Sequence, residues 1–118
     1  MITLYGIKNC DSVKKARKWL ELNNVDYQFH DFRSDGLSPE QVSTWIDILS
    51  WETLVNKRST TWKGLADSVK KDMTAQTATA AILESPTLIK RPLLETNVAT
   101  KTQLMVGFKE ADYKALLL

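Results

Sequence analysis

The chain has 118 residues, of which 43% are hydrophobic and 25% are charged, and this composition is typical of a soluble globular protein. The length predicts a single domain that spans residues 1–118. The formal net charge is +2, with acidic residues interleaved among the basic ones, which predicts neither a nucleic-acid partner nor binding to a membrane surface.

The first predicted element is a strand at residues 2–5, an apolar run that ends at Gly6. An amphipathic helix follows from residue 11 or 12 to residue 22, because its apolar side chains recur on one stripe. The residues of this stripe are Val13, Ala16 and Leu20. A second strand is predicted at residues 25–32, and together these elements indicate a βαβ unit with parallel strands and a right-handed crossover.

The one cysteine of the chain, Cys10, lies at the junction between the first strand and the helix. The first backbone N–H groups of a helix lack internal partners, and with the helix dipole they favour an anion at this point. Lys8 and Lys14 add positive charge, so the position predicts a reactive thiolate. The alternative interpretation is a free cysteine that packs as a small hydrophobic residue.

A loop is predicted at residues 33–37, and the clearest helix start of the chain follows it. Ser38 can cap the helix, Pro39 suits its first position, and Gln41 can complete a capping box. The apolar stripe of this helix and a tryptophan just beyond it are expected in the core. These residues are Val42, Trp45, Ile46, Leu49 and Trp51.

The pattern of residues 51–84 is helical but interrupted. Thr74 is predicted to cap a helix that runs to residue 83 and stops before Pro86. The remaining predicted elements are strands at residues 92–95 and 103–106, joined by a short polar turn, and a helix at residues 110–117.

The single cysteine excludes an internal disulfide, and the single histidine, His30, has no second candidate ligand, so no metal site is predicted. We expect His30 to be a structural residue of the second strand. The chain enters its first strand without a charged and apolar leader, and no apolar run approaches the roughly 20 residues of a membrane span. A reduced, cytoplasmic location is therefore the expectation.

Several blocks of sequence, spread over nearly the whole chain, occur in the order typical of one protein family. They are Gly6, Asn9-Cys10-Asp11-Ser12, Lys14-Lys15-Ala16, Arg58, residues 88–93 and residues 106–108. On these blocks the chain resembles the arsenate-reductase-like (ArsC) branch of the thioredoxin superfamily. The resemblance implies an α/β, thioredoxin-like fold with a mixed sheet of about four strands and an inserted helical segment. It also implies a cis bond before Pro92, which would carry Arg91 next to Cys10.

Arsenate reductases of this type use one cysteine and a set of arginines that hold the oxyanion. The resemblance matches two of those arginines to Arg58 and Arg91, and the guanidinium fork suits an oxyanion. The third arginine falls near Val106 and Gly107, where the chain has none. This departure from the family pattern implies that arsenate reduction is weak or absent.

A different thiol chemistry is indicated by residue 13, because Val13 leaves Cys10 without the second cysteine of a C-x-x-C pair. An external thiol must then resolve a mixed disulfide, and glutathione is the obvious cellular one. Family members that lack the full arginine set resemble glutathione-dependent thiol reductases of the YffB type. The resemblance therefore implies catalysis by Cys10 and a set of substrate-binding residues. That set is Lys8, Asn9, Arg58, Arg91 and Pro92.

The resemblance implies no bound cofactor, with glutathione as a co-substrate. The implied partners are glutathione or a glutathionylated substrate, together with a glutaredoxin, and the chain is expected to be a monomer. Two alternatives stay open: a glutathione-coupled arsenate reductase, and a non-catalytic regulator of the Spx type that binds a protein partner such as RNA polymerase. Spx-type proteins usually carry a two-cysteine redox switch, which Val13 removes in this chain.

Overall fold

The computed structural model describes residues 1–98 and 100–118. The chain forms two compact units: the first joins Met1–Asp35 to Arg91–Leu118, and the second is Gly36–Lys90. Whether residues 1–118 fold as a single domain stays a prediction. In the described residues, no helix combines the length and the apolar composition needed to cross a bilayer.

The helices and strands occur in this order: β1 (Ile2–Gly6), α1 (Asp11–Leu22), β2 (Gln28–Asp31), α2 (Pro39–Leu49), α3 (Trp51–Leu54), α4 (Thr60–Lys63), α5 (Asp67–Lys71), α6 (Ala75–Glu84), β3 (Leu93–Val98), β4 (Lys101–Val106) and α7 (Glu110–Leu117). A short 3₁₀ helix at Pro86–Leu88 follows α6.

The first unit is built on a mixed sheet whose strand order, among the described residues, is β2-β1-β3-β4. β1 and β2 are parallel, with Thr3 opposite Gln28 and Gly6 opposite Asp31. β3 runs antiparallel to β1, and β4 runs antiparallel to β3. The predicted parallel βαβ opening and the mixed four-stranded sheet are confirmed.

The core of the first unit forms where α1 and α7 bury apolar side chains with residues of the sheet. Its fully buried members are Leu4, Val13, Ala16, Leu20, Leu94 and Tyr113. Three of them are the residues of the stripe predicted for α1, so the amphipathic interpretation of that helix is confirmed. Full burial of one such aliphatic side chain is worth about 1.5–3 kcal/mol.

The second unit is the inserted helical segment, and two of its helices begin at capping boxes. The backbone N–H of Gln41 donates to Ser38 Oγ at 3.1 Å, and the backbone N–H of Ser38 donates to Gln41 Oε1 at 3.0 Å. Thr74 and Thr77 form the corresponding box at the start of α6. α2 packs against α6, and both predicted helix starts are confirmed.

Two residues expected in the core of this unit are only half-buried, namely Leu49 and Trp51. The ring of Trp51 instead stacks on that of Trp62, with 6.5 Å between the centroids and 23° between the planes. Trp45 is 1% exposed, as predicted. The pattern of apolar residues identified the stripe correctly but did not distinguish a side chain at its margin from one at its centre.

β2 begins later than predicted, at Gln28 rather than at Val25. The backbone N–H of Val25 donates to the carbonyl oxygen of Leu20 at 2.9 Å, and Asn24 has a left-handed φ of 55°. The chain is therefore still turning away from the end of α1 at the point where the alternating pattern predicted a strand.

The hairpin of β3 and β4 is longer than predicted, because β3 continues to Val98 and β4 begins at Lys101. All but one of the residues in the added pairs are polar, and Thr102 Oγ1 donates to Asn97 Oδ1 at 2.7 Å. Hydrogen bonding between the strands extends the pairing beyond the apolar pattern. The predicted turn includes Ala99, which lies outside the described residues.

The hydroxyl of Tyr113 is a buried polar group to which the described residues provide no hydrogen-bond partner. The ring packs edge-on against Trp19 and Phe108, with centroid separations of 5.7 and 4.8 Å, and burial raises the pKa of the phenol. We predict that Tyr113→Phe raises the free energy of unfolding by about 1 kcal/mol, because an unsatisfied buried group costs about 1–3 kcal/mol. Urea denaturation at neutral pH measures the change.

Tyr27→Phe is the matched control, since its hydroxyl accepts a hydrogen bond from Arg17 Nε at 3.2 Å. This variant is expected to lose about 0.5–1.5 kcal/mol of stability. A loss of similar size in Tyr113→Phe would contradict the prediction and indicate a buried water bound to the hydroxyl.

Candidate active site

Cys10 is the N-cap residue of α1. Its backbone is extended, with φ −114° and ψ 124°, and its carbonyl oxygen accepts the first helical hydrogen bond from Lys14 N–H at 3.0 Å. The side chain is half-buried against the core of the first unit. Within the described part of the chain, this side chain makes no capping hydrogen bond to α1. The thiol therefore lies where the N–H groups and the dipole of the helix favour negative charge.

The position of α1 depends on the absence of a side chain at Gly6. A Cβ atom at residue 6 would lie 2.6 Å from Cγ2 of Val13, a separation that real side chains do not tolerate. Val13 is β-branched and has little rotamer freedom in a helix, so it cannot easily turn aside. Glycine at the end of β1 thus lets the first turn of α1, with Cys10 at its start, approach the sheet closely.

Strand pairing brings the start of β3 to the edge of the sheet from which the Cys10 loop leaves. β1 and β3 end their pairing at Tyr5 and Leu93, so Pro92 lies at that edge. The backbone N–H of Gly107 donates to the carbonyl oxygen of Pro92 at 2.9 Å. The position of the absent third arginine is therefore at the same edge.

Five of the predicted site residues belong to this edge of the first unit. The Arg91–Pro92 bond is cis, as the resemblance implied. Pro92 is buried and Arg91 is half-buried, whereas Lys8 and Asn9 are exposed on the loop before Cys10. A contact between Arg91 and Cys10, and the binding roles of these residues, stay predictions.

Arg58 belongs to the second unit and is exposed. Its backbone N–H donates to Asn56 Oδ1 at 3.0 Å in a tight turn before α4. The two matched arginines therefore belong to different units. That Arg58 and Arg91 hold one anion stays a prediction.

Asp31 is a structural residue of this edge that the sequence pattern did not indicate. It lies at the end of β2 and is 6% exposed. Its Oδ1 accepts the backbone N–H of Arg33 at 2.8 Å and that of Ser34 at 3.4 Å, and its carboxylate also accepts the backbone N–H of Lys8. The carboxylate thus ties the loop before Cys10 to β2. The signal that could have found it is an aspartate that ends a strand before a polar turn.

These contacts set the acidity of Asp31. Burial raises the pKa of the carboxyl, but the three backbone donors and the charge of Lys8 lower it by more. The pKa of Asp31 therefore lies below the ordinary value of 3.8. The charged form is the one that holds the loop.

Comparison with known proteins places the chain among proteins with the same fold. The model of the ArsC family matches residues 5–116. The structure of the YffB protein superposes with a TM-score of 0.92 at 38% identity, with 100% of both chains covered. The solution structure of an arsenate reductase (ArsC) related protein from Brucella melitensis gives a TM-score of 0.76 at 42% identity, covering 99% of this chain and 95% of that one. The thioredoxin-like fold implied by the resemblance is confirmed.

A regulatory protein is also similar in sequence. The global transcriptional regulator Spx of Streptococcus agalactiae is 30% identical over 122 residues, which cover 99% of this chain and 83% of the regulator. The same fold therefore occurs in relatives with enzymatic and with regulatory names.

The lowered pKa of Asp31 predicts a pH-dependent contribution to stability. A carboxyl with a depressed pKa in the folded state stabilises the protein above its unfolded-state pKa, and this contribution is lost as the pH falls through the folded-state pKa. Asp31→Asn should therefore cost about 1–3 kcal/mol at pH 7, and the difference from the unmodified protein should shrink below about pH 3.8. Urea denaturation of both proteins at a series of pH values measures this.

Asp47→Asn serves as the control, because Asp47 is exposed on α2. The control is expected to change stability by less than about 0.5 kcal/mol. An Asp31→Asn deficit that stays the same from pH 7 to pH 3 would show that the charge of Asp31 does not hold the loop.

Proposed function

The chain belongs to the ArsC family, and from this premise we propose that it is a redox enzyme, specifically a glutathione-dependent thiol reductase that uses Cys10 as its nucleophile. One observation carries the proposal: the only cysteine of the chain is half-buried at the amino end of α1. A helix start favours the thiolate, which is the reactive form of cysteine.

The proposed reaction consists of two thiol–disulfide exchanges. The Cys10 thiolate attacks the glutathione sulfur of a mixed disulfide, the substrate leaves as a thiolate that takes up a proton, and glutathione remains disulfide-bonded to Cys10. The thiolate of a second glutathione then attacks that disulfide, which releases oxidised glutathione and restores the Cys10 thiolate. The external thiol is needed because residue 13 is valine, so no second cysteine can resolve the intermediate.

The proposed binding residues suit the charges of glutathione, which carries two carboxylates. Arg58 and Arg91 pair with carboxylates through their guanidinium forks. Lys8 and Asn9 precede Cys10 on the loop, and Pro92 lies at the same edge of the sheet. We propose that the protein acts as a monomer in the cytoplasm without a bound cofactor, with glutathione as co-substrate and a glutaredoxin as an alternative reductant.

Arsenate reduction is the second candidate, because a relative with 42% identity is an arsenate reductase (ArsC) related protein. Against it stands the absence of an arginine near Gly107. One lost charge-assisted contact to an oxyanion costs about 1.5–3 kcal/mol, or roughly ten- to more than a hundredfold in rate. Gly107 also has a φ of 78°, so Gly107→Arg would strain the backbone and is a poor way to restore the contact.

A regulator of the Spx type is the third candidate, supported by the 30% identity with Spx. Such a protein needs no reactive thiol to bind a partner. The reactivity of Cys10 therefore decides between a catalyst and a pure binding protein.

We predict that the protein forms a covalent glutathione adduct on Cys10 when it is incubated with oxidised glutathione, and that reduced glutathione removes the adduct. Cys10→Ser should form no adduct and retain no reductase activity, because the chain has no other thiol. Intact-protein mass spectrometry, followed by peptide mapping, measures the adduct. A parallel incubation with arsenate and reduced glutathione reports any arsenic adduct on the same residue.

The adduct measurement distinguishes the candidates when it is combined with the rate of arsenate turnover and with the cellular function of Cys10→Ser. A glutathione adduct without rapid arsenate turnover supports the proposed function. Arsenate reduction at rates typical of enzymes would overturn the preference for glutathione. An unreactive thiol, together with full cellular function of Cys10→Ser, would leave only the regulator.

We predict that Arg91→Ala raises the KM for glutathione by roughly ten- to a hundredfold, because it removes a charge-assisted contact. Arg91→Lys should recover part of the loss, since lysine keeps the charge but lacks the fork. Steady-state rates with a glutathionylated peptide measure both variants. Arg33→Ala, a change at an exposed arginine, is the control, and an equal effect in that variant would indicate that only the net charge matters.

A further inference from the structure

The turn that carries Arg58 is fixed at both ends by hydrogen bonds within the second unit. Asn56 N–H donates to the carbonyl oxygen of Leu88 at 2.7 Å, and Asn56 Oδ1 accepts the N–H of Arg58 at 3.0 Å. At the other end, Ser59 Oγ donates to the carbonyl oxygen of Asn56 at 2.8 Å. The same oxygen accepts the N–H of Trp62 at 3.1 Å, and Ser59 thereby caps the start of α4. These bonds hold the backbone on either side of residue 57.

The residue before Arg58 is held by its side chain. Lys57 Nζ lies 5.3 Å from the ring centroid of Trp51 and 5.7 Å from that of Trp62. Those two rings stack at 6.5 Å and are half-buried, so they form a fixed aromatic surface under the ammonium group. A cation within about 6 Å of an aromatic centroid is attracted by the ring.

We propose that Lys57, held on the Trp51–Trp62 pair, is a positioning residue that orients Arg58 towards an anionic group of the substrate. The proposal rests on the proposed function, in which Arg58 binds a carboxylate of glutathione. An exposed arginine loses side-chain and backbone freedom when it binds, and an ordered turn reduces that loss before the substrate arrives.

The same contact keeps the Lys57 ammonium on the rings. Lys57 is the immediate neighbour of Arg58, and a free ammonium there would compete for the same anion as a strongly hydrated point charge. Arg58 instead offers a planar fork that matches a carboxylate in two hydrogen bonds. By holding the Lys57 ammonium, the aromatic pair leaves the carboxylate to the guanidinium fork of Arg58.

The first test is kinetic. Lys57→Met keeps an unbranched side chain that is one atom shorter and removes its charge. We expect the KM for a glutathionylated peptide to rise about two- to fivefold with kcat unchanged. Lys57→Arg should restore the KM, because arginine also binds aromatic faces. Lys63→Met, a change at an exposed lysine of α4, is the matched control and should leave the KM unchanged.

A double-mutant cycle separates positioning from a direct contact. If Lys57 acts through Arg58, Lys57→Met should have no further effect on KM in the Arg58→Ala background. An equal rise in both backgrounds would show that Lys57 itself attracts the anion and would overturn the proposal.

The second test does not depend on any activity. The ¹⁵N heteronuclear NOE of the Arg58 amide reports fast motion of the turn, and it should fall in Lys57→Met and recover in Lys57→Arg. If the unmodified protein shows no glutathione-dependent activity but this NOE changes as predicted, the proposed function fails while the positioning role stands. An unchanged NOE in Lys57→Met would overturn the positioning role whatever the activity.

Discussion

The close approach of α1 to β1 is the constraint on which the candidate active site depends. It is possible only because Gly6 has no side chain, since a Cβ there would meet Val13 at 2.6 Å. Val13 is itself fully buried in the core of the first unit, so the packing that stabilises this unit also fixes the start of the helix. Cys10 lies one turn earlier, at the N-cap. The position of the thiol at the start of α1 is therefore set by packing in the core.

Val13 also determines the chemistry that remains open to the thiol. Its position is the one where a dithiol enzyme carries its second cysteine, and here it is occupied by a buried core residue. A thiolate at a helix start can be a good nucleophile and a good leaving group, but its mixed disulfide needs an external thiol for release. At this edge of the sheet lie Arg91 and Pro92, which immediately precede β3, and the loop anchored by Asp31. The chain has no arginine near Gly107. The proposed preference for a thiol substrate over an oxyanion rests on this combination.

The sequence predicted those features that depend on neighbouring residues. The capping box at Ser38, the N-cap at Thr74 and the apolar stripe of α1 are local signals, and all are found where they were expected. The sequence did not predict the role of Asp31, because its donors come from a turn and from a distant loop that only strand pairing brings together. The Lys57 contact was missed for a similar reason, since a half-buried tryptophan pair cannot be distinguished from core residues by spacing alone. The arginine sites came from the family resemblance, and their contacts with substrate remain predictions.

The steady-state kinetic mechanism tests the central claim most directly, because a single cysteine that carries glutathione must release its first product before the second thiol reacts. Initial rates should be measured with a glutathionylated peptide at several fixed concentrations of reduced glutathione. The proposed two-step exchange predicts parallel lines in a double-reciprocal plot, the pattern of a ping-pong reaction. Lines that intersect would show that both substrates bind before any product leaves, and would contradict a covalent glutathione intermediate on Cys10.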